Sequence, residues 1–191
     1  DAIDASIFPG MQGGPHLHTI AGIAITLQKT KTAEFKRYAH QVVKNARYLA
    51  KKFSEFGLDV VSGGTDKHLV LIDLRNRGVS GWFVAWAMEE AGIVGNRNTV
   101  PQETASPYYP SGLRLGTPAV TVRGMKEKEM EKIAVWIKDI IDHVGKREIS
   151  KDEQERRAYL KQFRSDIQKD MFLIKIRTEV KSLCRKFSID L

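Results

Sequence analysis

The 191 residues predict an α/β fold, a small sheet packed with helices. Three observations lead there. Long segments with an apolar residue every three or four positions alternate with short apolar, β-rich runs. Ser, Thr, Pro and Gly stand at the ends of those segments, where helix caps and stops belong. Hydrophobic residues make up 42% of the chain, enough for a buried core.

The elements follow in order. Residues 1–15 read as irregular, because Pro9, Gly10, Gly13, Gly14 and Pro15 interrupt any period. From His16 the pattern becomes helical, with Leu17, Ile20, Ala21, Ala24, Ile25 and Leu27 making it apolar. A second helix runs from Thr32 to Phe56. Thr32 is its N-cap and Glu34 lies in its first turn. Phe35, Tyr38, Val42, Ala46, Leu49 and Phe53 recur at helical spacing, and Gly57 ends the helix. Leu58 to Val61 is a short strand and residues 62–65 form a turn. His68 to Leu74 is a second strand, apolar enough to predict cover on both faces.

Ser80 caps a helix that ends at Ala91, before Gly92. Ile93-Val94 begins an extended segment. Asn96 to Pro110 reads as a long loop, and such loops inside compact domains are usually functional. Gly112 to Leu115 returns as a strand. Thr117-Pro118 opens a helical turn with Pro at its first position. Lys126 to Val144 is an amphipathic helix. Residues 146–157 are a charged linker, followed by helical patterns at Tyr159–Ile167 and Phe172–Phe187.

Several function classes lose support. The longest uncharged stretch, Ala5 to Gln28, is broken by Pro and Gly and fits neither a membrane span nor a secretory signal. The single Cys184 permits no internal disulfide, which fits a reducing, cytoplasmic setting; its apolar neighbours at helical spacing make it a structural thiol. His16 and His18 point to different sides of a helix, and His40, His68 and His143 stand alone, so no metal site is expected. There is no G-x-S-x-G elbow, and Gly63-Gly64 lacks the rest of a nucleotide-loop pattern. The net charge of +8 admits anionic partners. In residues 146–191, however, thirteen Lys/Arg are intermixed with eight Asp/Glu and the aromatics are not interleaved for base stacking. A solvated helical face is the better reading than a nucleic-acid surface.

Two stretches carry candidate chemistry. In F-P-G-M-Q-G-G-P, Gly13 and Gly14 precede a helix and suit either an anion, whose charge the helix N-terminus favours, or a plain tight turn. In S-G-L-R-L-G-T-P-A, Arg114 sits among small and apolar residues. It suits either a bidentate fork on a ligand carboxylate or a structural pair with Asp or Glu. The residues alone leave both pairs of alternatives open.

Seven segments taken together resemble serine hydroxymethyltransferase: F-P-G-x-Q-G-G-P, T-I-A-G-I-A, Q-V-V-K-N-A, V-S-G-G-T-D-x-H-L, N-R-N-T-V-P, S-G-L-R-L-G-T-P-A and E-V-K-S-L-C-x-x-F. The resemblance implies the C-terminal portion of a fold type I pyridoxal-phosphate-dependent transferase. Residues 1–28 would be the end of the large cofactor-binding domain, 29–57 a connecting helix, 58–145 the C-terminal α/β domain and 146–191 a helical extension.

It further implies that Arg114 binds the substrate α-carboxylate and Asn98 binds folate. Gly13 and Gly14 would approach the pyridoxal 5'-phosphate of the neighbouring subunit, and Phe8 would contact that subunit's folate. The implied activity interconverts serine and glycine and passes a one-carbon unit to tetrahydrofolate, in a homodimer or dimer of dimers, with no nucleic acid or membrane partner. The family's Schiff-base lysine follows T-T-T-T-H, a string this sequence lacks. No catalytic residue is therefore expected in this chain, and the chain alone is expected to be inactive. Further departures are His16 for a common Leu, Pro110 and Val122 for common Thr, and F-S-I-D-L for an aromatic-proline ending. The competing expectation is a non-catalytic binding module that kept the fold and offers a basic surface to polyanions.

Overall fold

The computed structural model describes residues 1–188; Ile189, Asp190 and Leu191, the end of the F-S-I-D-L segment, lie outside the described residues. The chain divides into two compact units, Asp1–Ala39 and His40–Leu191.

The first unit opens with helix α1 (Ala2–Ala5) and a π-type helical turn over Ser6–Met11. This corrects the irregular reading of the first eleven residues. Ala is the best helix former and Asp favours a helix start, so D-A-I-D-A winds before Pro9 and Gly10 intervene. The winding breaks at Phe8, whose backbone is extended (φ −134°, ψ 122°). Residues 12–16 then lead into helix α2 (Leu17–Thr30). Its apolar side chains are exposed within the described residues, Leu17 by 71% and Leu27 by 59%. A helix apolar on every side normally lies inside a larger assembly. No helix among the described residues is long and apolar enough to cross a membrane.

Helix α3 (Ala33–Glu55) bridges the units, and the Thr32 hydroxyl accepts from the Phe35 N–H at its start. In the second unit it buries Val42, Ala46, Leu49 and Phe53. Strand β1 (Asp59–Val60), strand β2 (Leu69–Asp73) and helix α4 (Gly81–Glu90) follow. The Ser80 hydroxyl caps α4 by accepting from Trp82 N–H, and Gly92 (φ +79°) stops it in a conformation costly for any residue with a Cβ. Strand β3 (Asn96–Asn98), strand β4 (Gly112–Gly116), helix α5 (Pro118–Val122) and helix α6 (Glu127–Val144) come next. Helices α7 (Glu153–Ile167) and α8 (Met171–Arg185) complete the described chain.

The sheet is fully antiparallel, in the order β1-β2-β4-β3. β3 begins at Asn96, just beyond the Ile93-Val94 segment that β propensity favours, with Gly95 between. Pairing with β4 decides its place, with Asn96 opposite Arg114 and Asn98 opposite Gly112. The first residues of the expected loop are therefore sheet edge. Nor is β2 covered on both faces. Val70 and Ile72 are buried while Leu69, Leu71 and Asp73 are half-buried, because an antiparallel sheet needs a core on one side only.

One hydrophobic core joins the covered face to α3, α4, α6, α7 and α8. At its centre Phe83 is fully buried, with its ring 4.9 Å from that of Phe163 and 5.6 Å from that of Tyr159, both on α7. A polar strut crosses the apolar packing. Asn45, fully buried, donates to Thr121 Oγ1 (2.8 Å) and to the Met125 carbonyl (3.0 Å) and accepts from Gln41. Thr117 Oγ1 donates to the Val42 carbonyl at 2.8 Å. These bonds tie α3 to α5, and loss of one partner would strand the other at a cost of ~1–3 kcal/mol.

The histidines do not all stand alone. His143 stacks on Phe172 and its Nε2 lies 2.7 Å from Asp170 Oδ2, while Asp170 Oδ1 caps α8 by accepting from the Phe172 and Leu173 N–H groups. Among the described residues no group of three or more His, Cys, Asp or Glu could hold a metal. Cys184 is a free, half-buried thiol packed against the core.

Candidate functional site

Antiparallel register brings two of the anticipated site residues together. Alternation along a strand puts Arg114, its partners Leu71 and Asn96, and the pair Asn98–Gly112 on one face of the sheet. That face is the one turned from the core, and Arg114 is exposed on it. The Arg114 side chain makes no hydrogen bond or ion pair among the described residues, and the structural Asp or Glu partner that the sequence left open is not among them. It lines a 320 Å³ cleft at the sheet edge, together with Asn96 and Arg97 of β3 and Ala85, Trp86 and Glu89 of α4. Two guanidinium groups against one carboxylate leave the cleft net cationic.

Asn98 donates its side-chain amide N–H to the Thr99 carbonyl at 2.7 Å, which leaves its amide oxygen free to accept. Gly112 is required opposite it. A Cβ there would sit 2.5 Å from the Asn98 carbonyl oxygen and 2.6 Å from Val100 Cγ1, so a side chain would force the strands apart. Gly13, Gly14 and Phe8 belong to the first unit. The two glycines have open space around them, and their N–H groups donate to no described residue. Phe8 is 64% exposed.

Sequence reasoning missed how the loop after β3 is held. Glu103 is the only charged residue between Thr99 and Ser111, and that solitary charge was the available signal. Its carboxylate accepts from the Ser111 N–H (2.9 Å), the Ser111 hydroxyl (2.9 Å) and the Ala105 N–H (3.0 Å). Partial burial pushes this carboxyl up, but those donors together outweigh burial and hold it below the usual carboxylate range. On the other flank Arg75 grips the Asp73 carboxylate and donates to the Pro101 and Gln102 carbonyls. A lowered native pKa contributes stability above the ordinary carboxylate range, and that stability is lost as pH falls through the native value. Acidification below the ordinary range is therefore expected to release the loop first at Ser111. Hydrogen exchange should show the Ser111 amide losing protection with falling pH, and Glu103→Gln should flatten that dependence. A Ser111 amide whose protection ignores pH would remove Glu103 as the clamp.

An α/β domain with a cationic cleft at the edge of its sheet, opening beside an exposed arginine, is thus the class that fold and site define. The family model described as serine hydroxymethyltransferase matches residues 1–137. The chain is 55% identical over 139 residues to the serine hydroxymethyltransferase of Methanospirillum hungatei, covering 73% of this chain and 34% of that protein. It is 52% identical over 145 residues to the serine hydroxymethyltransferase of Acidothermus cellulolyticus, covering 76% and 34%. The matched region spans about a third of these relatives' length. The chain belongs to the serine hydroxymethyltransferase family, and its α/β fold is that of a fold type I pyridoxal-phosphate-dependent transferase.

Proposed function

We propose that the protein containing this chain interconverts serine and glycine, transferring a one-carbon unit to tetrahydrofolate, with pyridoxal 5'-phosphate as cofactor. The unpartnered Arg114 guanidinium on the open sheet face carries this reading. Its planar fork would take the α-carboxylate of serine or glycine bidentately and so fix the orientation of the substrate Cα. Asn98, in register two residues away on the same face, would offer its free amide oxygen to an N–H of the folate ring. The residues present fit a phosphate at Gly13 and Gly14, where open backbone N–H groups precede the N-terminus of α2. Those glycines would hold the cofactor of a neighbouring subunit, and exposed Phe8 would pack against that subunit's folate. Bound, the cofactor would supply the electron withdrawal that makes a bond at Cα labile.

The reading assigns the Schiff-base lysine to sequence other than these 191 residues, so the chain by itself would not turn over serine. It assigns 1–28 to the large cofactor-binding domain, 29–57 to a connecting helix, 58–145 to the C-terminal α/β domain and 146–191 to a helical extension. A homodimer or dimer of dimers in the cytoplasm completes it. Incubating the whole enzyme with serine, tetrahydrofolate and pyridoxal phosphate should yield glycine, and omitting the folate should stop that flux. Glycine formation that ignores tetrahydrofolate would overturn the assignment.

A further inference from the structure

The cleft has a wall whose support comes from outside the region matched to the family. Trp86 lines the cleft beside Arg114, and α7 lies beyond residue 137, where the family match ends. On α7, Arg164 places its guanidinium carbon 3.4 Å from the centroid of the Trp86 ring and 5.7 Å from that of Trp82. Among the described residues the Arg164 guanidinium makes no hydrogen bond or ion pair, and it packs on the two indole rings instead. It does not itself line the cleft, and its contact therefore holds the indole from outside the space Arg114 opens into.

The geometry behind this contact is firm. Phe163, the preceding residue, is buried and packs 4.9 Å from Phe83 and 6.0 Å from Trp82. That anchor fixes the height of Arg164 against α4. Neighbouring arginines of the same region repeat the arrangement. Arg156 lies 5.6 Å over the ring of Tyr109, in the loop between β3 and β4, and Arg147 lies 5.0 Å over Phe163. A cation over an indole face is attracted by the ring quadrupole, and Trp is the best such ring. A half-buried Trp on a helix otherwise has freedom about two side-chain torsions.

We propose that Arg164 is a positioning residue for the Arg114 cleft, clamping the Trp86 indole so that the wall facing a bound carboxylate is already in place. The inference rests on the carboxylate reading of Arg114. A preformed wall spares the ligand the entropy of ordering that side chain on binding.

Nuclear magnetic resonance on the whole enzyme with pyridoxal phosphate tests it, with glycine as the probe. In the wild-type enzyme the Trp86 indole N–H should relax as a rigid group, with an order parameter near about 0.85, and glycine should shift the Arg114 side-chain N–H resonance. In Arg164→Leu the indole order parameter should fall below about 0.6 and glycine should bind at least about fivefold more weakly. Arg164→Lys, which keeps a cation over the ring, should recover part of both. Arg114→Ala should abolish the glycine response and leave Trp86 rigid. A rigid indole in Arg164→Leu, or a glycine affinity unchanged there, overturns the proposal. A wild-type enzyme that ignores glycine while Trp86 loosens in Arg164→Leu would instead overturn the carboxylate reading and leave the clamp standing.

Discussion

Arg114→Ala in the whole enzyme should raise the serine KM about 100-fold or more, the factor that corresponds to ~2.7 kcal/mol. Each hydrogen bond to a charged partner contributes ~1.5–3 kcal/mol, and a bidentate fork makes two. The loss should fall on binding and orientation together, so kcat is expected to drop as well, because a carboxylate held by one contact lets the Cα turn. Arg114→Lys keeps the charge and loses the fork, so it should recover only part of the loss. The fold should not register the change. Arg114 is exposed and has no partner among the described residues, so the unfolding midpoint of Arg114→Ala should match wild type. A wild-type serine KM in Arg114→Ala would remove Arg114 from the site.

Phe83→Ala should be the most damaging single change to stability, at ~3–5 kcal/mol. The ring is fully buried and touches Trp82 on its own helix and Tyr159 and Phe163 on α7. Truncation leaves a cavity where α4, α7 and the sheet meet, and rigid neighbours cannot collapse into it. Urea unfolding of the 191-residue chain, followed by Trp fluorescence, should show the midpoint fall by the amount that ~3–5 kcal/mol corresponds to, with Phe83→Leu losing much less. A loss below ~1 kcal/mol would mean that α7 is not docked on α4 as described. The Arg164 contact depends on that docking, so the two experiments bear on each other.

The two predictions draw on information of different kinds. Helix ends were legible because capping is local chemistry. Ser80 caps within two residues, Gly57 and Gly92 supply left-handed stops, and Pro118 sits at a first helical turn, all readable without a partner. Strand β2 was legible for the same reason. Its face was not, since a run such as Leu69–Asp73 is apolar on both sides and only the helices decide which side is buried. β3 shows the limit most plainly. Asn96-Arg97-Asn98 has poor strand propensity, and its strand exists because β4 offers an edge to pair with. The opening helix was missed for the opposite reason, when Pro and Gly later in the segment outweighed helix formers at its start.

The candidate site divides in the same way. The sequence by itself determined an α/β chain, and its seven segments carried the resemblance to serine hydroxymethyltransferase that implied roles for Arg114, Asn98, Gly13, Gly14 and Phe8; composition and spacing alone left Arg114 and the two glycines open and were silent on Asn98 and Phe8. Only the tertiary structure decided that Arg114 lacks an internal partner, that Asn98 stands in register on its face, that Glu103 clamps the loop to Ser111, and that Arg164 covers Trp86. Each of those joins residues apart in the chain. Strand register and side-chain packing, which no local period encodes, bring them within reach.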